Sequence, residues 1–190
     1  MWQVILYISP LSVAAFLTAT VGLCLLGVWW RSRADARRLL TVARFLLVGW
    51  GLVVFVATVL PMEAPGSGSH EVAWVPGEGL WEPSGYQGAG AFAEERENVL
   101  RLQVANTAMF IPLAALSSLA FPALSGIAVI GCCLALSASI ETAQFLLAAG
   151  RTADVDDLLF NTLGGVIGTF SAHLATQANR LRPGSGRHRA

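Results

Sequence analysis

Residues 124–149 read LSGIAVIGCCLALSASIETAQFLLAA, a long apolar run whose one charge is Glu141. As a helix this run would be about 39 Å long at ~1.5 Å per residue, enough to cross the ~30 Å hydrocarbon core of a bilayer with tilt. Four more apolar runs flank it: Trp2–Trp30, Leu39–Leu60 and Leu102–Leu119 before it, and Asp157–Leu174 after it. The predicted fold class is therefore all-α, a polytopic integral membrane helical bundle of about five transmembrane helices. Composition agrees. Hydrophobic residues make up 55 % of the 190-residue chain and charged residues only 13 %, about half the usual globular share, with a mean hydropathy of +0.62. A soluble domain so poor in charge would precipitate.

The runs divide the chain into four predicted regions. Residues 1–61 carry the first two transmembrane helices and an Arg-rich cytoplasmic link, with Arg31, Arg33, Arg37, Arg38 and Arg44 against Asp35. Trp2 and Trp30 suit interfacial anchoring, and the run between them lacks the basic start and short core of a secretory signal. Residues 62–101 form an extracellular loop rich in Gly, Pro and acids, whose end, Glu94–Arg101, leads helically into the next span. Trp74, Trp81 and Tyr86 of this loop are expected to fold back onto headgroups or the bundle. Residues 102–176 make a core of three transmembrane helices, with Pro112 removing one backbone donor and kinking the first of them, and Ala120–Ala123 as a turn. Residues 177–190 read as a disordered cytoplasmic tail.

Charge sets the orientation. All twelve basic residues are Arg: nine fall in the segments assigned inside, with one Asp, and three fall outside with ten acids. The excess of Arg marks the cytoplasmic side, so the N-terminus is predicted outside and the C-terminus inside a bacterial cytoplasmic membrane. With those arginines assigned, no basic groove remains for nucleic acid. Cys24, Cys132 and Cys133 lie inside apolar runs without the spacing of a disulfide framework or of a C-x-x-C metal site, so neither a metal nor a cofactor is expected.

Glu141 carries the most information about function. It lies about 12 Å below the outer end of its helix, where an unpartnered carboxylate would cost roughly 2.5–3.5 kcal/mol. Alternating helix directions bring other polar groups to similar depth: Asn106 at about 6 Å, Asp157 at about 3 Å and Asn161 at about 9 Å. Gln144 is one turn from Glu141, and Arg151, in the linking turn, has a side chain long enough to reach down toward it. Asp154 is an expected N-cap of the last helix. Gly164, Gly168 and Ala172 form a small-residue stripe that admits another helix, within the bundle or as a homo-oligomer contact.

Glu141-x-x-Gln144, followed by Arg151-x-x-Asp154-x-x-Asp157-x-x-x-Asn161-x-x-Gly164-Gly165, resembles the signature of the VanZ-like membrane-protein family. Asn106-x-x-x-Phe110-Ile111-Pro112-Leu113 is similar to its other characteristic segment, and Thr58–Pro61 to a weaker element. The likeness covers about residues 100–172. It departs at Ala114, where the family usually has Gly, and in the 62–101 loop. A named member of that family is associated with low-level resistance to teicoplanin, a lipid-bearing glycopeptide, and no settled reaction comes with the resemblance. What it implies is that Asn106, Glu141, Gln144, Arg151, Asp157 and Asn161 are the functional positions.

The preferred reading is a non-enzymatic envelope protein that binds a membrane lipid or lipid-linked wall precursor, or a lipoglycopeptide, at the outer leaflet, with Arg151 on a phosphate or carboxylate. A second is an enzyme acting on a lipid-linked substrate, with Glu141 and Asp157 as acid and base. No His near the cluster, nucleophile motif or metal-ligand spacing supports catalysis. A third is a small proton-coupled transporter, a poor fit for five spans without a repeat unless a dimer supplies the missing half. The fourth is a purely structural lock joining the last three helices.

Overall fold

The computed structural model describes residues 36–59, 64–68, 70–77, 80, 89–149 and 152–181. The expected span Trp2–Trp30 lies outside the described residues, as do Trp81, Tyr86 and the tail from residue 182. Four helices, α1 (Ala36–Val59), α2 (Ala89–Ala120), α3 (Gly126–Leu147) and α4 (Val155–Leu181), are joined by two short strands, β1 (Val72–Ala73) and β2 (Ala153–Asp154). Each of the four helices is long and apolar enough to cross a membrane, so the chain is an all-helical, multi-pass membrane protein with four such helices among the described residues.

The helix ends follow from local chemistry. Pro122 lies in the turn after α2, and α3 then starts at Ser125, whose side chain accepts the Ala128 N–H at 3.2 Å as an N-cap. It stops at Ala148, held in the left-handed region at φ 42° with its N–H returned to the Gln144 carbonyl at 3.1 Å. That conformation costs a non-glycine residue about 1–2 kcal/mol and persists only where the surroundings impose it. Here the loop imposes it: Gly66 N–H donates to the Leu147 carbonyl at 2.9 Å and Gly68 N–H to the Ala148 carbonyl at 2.7 Å.

Glu94–Arg101 is helical, as expected, and continuous with the span it leads into: α2 runs from Ala89 through Pro112 to Ala120. Its 32 residues give a length of about 48 Å, so its first turns must stand clear of the hydrocarbon core. The loop is also partly built onto the bundle. β1 pairs in parallel with β2, Val72 opposite Ala153 and Ala73 opposite Asp154, and Glu71 accepts the Ala153 N–H at 3.3 Å through its carbonyl. Trp74 is 73 % exposed.

Contacts fix the helix directions. Trp50 donates its indole N–H to the Met109 carbonyl at 2.9 Å, and Arg44 Nε reaches the Ala120 carbonyl at 3.4 Å, so α1 and α2 are antiparallel. Asn161 and Ser137, and Gly165 and Cys133, set α3 antiparallel to α4. The Thr107 hydroxyl donates to the Phe160 carbonyl at 3.1 Å. Gly164 then meets Thr107 and Phe110, and Gly168 meets Ile111 and Ala114, so α2 and α4 run parallel in close contact. A Cβ on Gly164 or Gly168 would land on an α2 backbone carbonyl oxygen. The expected small-residue stripe is thus filled by α2 of the same chain. Gly168 also explains how Ala114 is accommodated where a glycine is usual in the resembled family: one of the two facing residues lacks a side chain.

Val54, Phe110, Leu113, Ala114, Val129, Cys133 and Ile140 form the core. Phe45, Ile127, Leu146 and Phe170 remain 60–84 % exposed, as apolar residues facing lipid would be.

Candidate functional site

Directions and contacts together bring the end of α1, the start of α2, the end of α3 and the start of α4 to one end of the bundle, under the 64–77 loop. Polar side chains concentrate there. Thr58, Gln103, Asn106, Ser137, Gln144, Asp156 and Asn161 are all buried. At this level an interior that is apolar farther along becomes hydrogen-bonding.

Glu141 Oε2 accepts the backbone N–H of Asp154 at 2.8 Å, immediately before α4. A carboxylate so placed answers one of the unpaired N–H groups of a helix start and complements its dipole. Asp154 caps the same turn with Oδ1 accepting the Asp156 N–H at 2.8 Å, the N-cap role expected of it. Asp156, 4 % exposed, uses Oδ2 to accept the Gly77 N–H at 2.8 Å and so ties the loop to α4. His70 Nδ1 lies 2.8 Å from the Phe145 carbonyl, and its ring meets the Phe145 ring edge to face at 5.3 Å.

Gln144 faces a different neighbour, donating Nε2 to the Thr58 carbonyl at 2.9 Å across to α1. Asn161 donates Nδ2 to the Ser137 hydroxyl at 2.9 Å, joining α4 to α3. Asn106 lies one turn before Phe110, and Asp157 one turn before Asn161, so both belong to the same polar level. Arg151 lies outside the described residues.

Three amides here have buried polar atoms without a hydrogen-bond partner: Gln103 Oε1 and Nε2, Asn106 Nδ2 and Asn161 Oδ1. Gln103 was not among the residues the sequence singled out. It sits in an apolar run whose average hydropathy hides one neutral amide, and only its spacing from Thr107 and Phe110 marks it as inward-facing. Ser137 enters through a contact that no spacing reveals, and Thr58, which opens the weaker resembled element, enters through its carbonyl. Among the described residues, no three His, Cys, Asp or Glu side chains come together as metal ligands.

The level can therefore donate and accept hydrogen bonds from fixed amides beside carboxylates already engaged with backbone N–H groups. His173, at the far half of α4, pairs with Gln177 at 2.8 Å and takes no part. No curated protein and no solved structure matches the chain. The VanZ/LLP1 family model, by contrast, matches residues 44–176, a stretch that holds every described residue of this polar level, and the chain belongs to the VanZ/LLP1 family.

Proposed function

We propose that the chain is a protein of the bacterial cytoplasmic membrane that binds an amphiphile, a lipid-linked wall precursor or lipoglycopeptide, at outer-leaflet depth, and thereby affects glycopeptide susceptibility. In this reading Trp2–Trp30 supplies a fifth span, the N-terminus is outside and the C-terminus inside. Asn106, Glu141, Gln144, Arg151, Asp157 and Asn161 surround the headgroup, joined by Gln103.

One observation carries the reading. Gln103, Asn106 and Asn161 are 1 %, 6 % and 3 % exposed, yet each holds a polar atom that no protein group satisfies. A buried unsatisfied group costs about 1–3 kcal/mol, and three of them close together are hard to explain by packing alone. A bound headgroup offsets that cost. The loop strapped over the same end by Gly66, Gly68 and Gly77 makes a cover for it.

Mass spectrometry of lipid retained through purification tests the reading. Wild-type protein is expected to carry a specific amphiphile, such as a lipid-linked wall precursor, that Asn106→Leu and Asn161→Leu proteins lose. Recovery of the same bulk phospholipid from all three would defeat it. Chemical conversion of the retained lipid on incubation would move the assignment to an enzyme with Glu141 and Asp157 as acid and base.

A further inference from the structure

We infer that the inner part of this site recognises a neutral group with both a hydrogen-bond donor and an acceptor, an amide or a hydroxyl, rather than a phosphate or an ammonium. The inference rests on the headgroup-binding reading above and narrows it to a ligand class.

The free atoms make the selection. Gln103 offers Nε2 as donor and Oε1 as acceptor, Asn106 offers Nδ2 as donor, and Asn161 offers Oδ1 as acceptor. Their positions agree. Gln103 is one turn before Thr107, which bonds to Phe160, and Asn106 is one turn before Phe110, which meets Gly164. Asn161 is tied to Ser137 and precedes Gly164 and Gly165 by one turn. Phe110, 0 % exposed, closes the packing below. The amides therefore gather where α2, α3 and α4 meet.

A phosphate or carboxylate brings acceptors alone. It would answer Gln103 Nε2 and Asn106 Nδ2 but leave Gln103 Oε1 and Asn161 Oδ1 buried against like partial charge, with Glu141 and Asp157 at the same level. An ammonium brings donors alone and would leave Gln103 Nε2 and Asn106 Nδ2 unanswered. An amide or hydroxyl answers both sets.

Thermal unfolding of the full chain in phosphatidylcholine nanodiscs, whose headgroup has no donor, tests this. N-dodecanoylglycinamide is compared with dodecyl phosphate, dodecylammonium and free N-acetylglycinamide. The amide lipid should raise the wild-type Tm by several degrees while dodecyl phosphate and the ammonium leave it unchanged. A matching rise with free N-acetylglycinamide would assign the group to a soluble ligand, and its absence to a lipid headgroup; either supports the inference. Gln103→Leu should unfold at or above the wild-type temperature without ligand, because it removes an unsatisfied amide, and should lose the shift. Asn106→Leu should lose the shift as well, and stands as the second variant. A Tm rise with dodecyl phosphate or the ammonium but not with the amide would overturn the inference and leave headgroup binding standing. No rise with any of the four would overturn both. A fall in the ligand-free Tm of Gln103→Leu together with an unaltered amide response of Asn106→Leu would show the amides to be structural.

Discussion

The isolation of Glu141 in residues 124–149 is plain in the sequence, whereas one group it meets, the Asp154 backbone N–H, has no side-chain signature to detect. Glu141→Gln keeps an acceptor for that N–H, so the protein is expected to fold with a Tm near wild type. If the carboxylate organises a ligand site, Glu141→Gln should nonetheless abolish any effect on lipoglycopeptide susceptibility in cells, and Arg151→Ala should do the same without added loss in the double variant. Full activity of Glu141→Gln would return this carboxylate to a capping role alone. Glu141→Leu, by contrast, strands the Asp154 N–H and should cost about 1–3 kcal/mol, read as a lower Tm. Gln103 is the opposite case: uncharged, in a run read only as a span, and visible as a candidate once its neighbours on α2 were placed.

At the scale of elements, the last three helices were legible because each is a long apolar run bounded by Pro, Gly or charge. The two-residue strands were not, since no periodicity exists over so short a length and their pairing joins segments some eighty residues apart. The small-residue stripe was legible as a close contact, but its partner was not, because a stripe of Gly looks alike whether it meets its own chain or another. The contact itself makes a sharp prediction. Gly168→Val must push α2 and α4 apart and should leave little folded protein on size-exclusion chromatography, since overpacking typically costs about 1–3 kcal/mol and here the obstacle is backbone. Gly131→Ala, also mid-helix but with nothing within 4 Å of the new Cβ, should instead be neutral or stabilise by about 0.5–1 kcal/mol. Equal loss in both variants would refute the packing account. The loop is held separately. Removing the Gly77 contact with Asp156→Ala should speed amide hydrogen exchange across residues 70–77 while the cores of α2 and α3 keep their protection.

For the whole molecule, helix direction decides which charges share an end. Contacts place the starts of α1 and α3 at the end of the bundle where α2 stops, as the Arg44 to Ala120 bond shows, and the polar level with its loop at the other end. Arg37, Arg38 and Arg44 lie toward the first end; Glu71, Asp154, Asp156 and Asp157 lie toward the second. The first end holds Arg37, Arg38 and Arg44 and no acid among the described residues, whereas at the second Arg96 and Arg101 are outnumbered by acids, the kind of asymmetry the Arg-inside rule reads. The proposed orientation would let the polar level meet a lipid-linked wall precursor of the outer leaflet or an antibiotic arriving from outside. Single-cysteine labelling of intact cells decides it. The background replaces Cys24, Cys132 and Cys133 with Ala, which suits the buried Cys133 better than a hydroxyl. Val75→Cys, at an exposed loop position, should react with a membrane-impermeant maleimide, and Arg38→Cys, exposed at the opposite end, should react only after the cells are opened. Labelling of Arg38→Cys but not Val75→Cys in intact cells would put the site on the cytoplasmic face, and its ligand would then have to be a molecule of the inner leaflet.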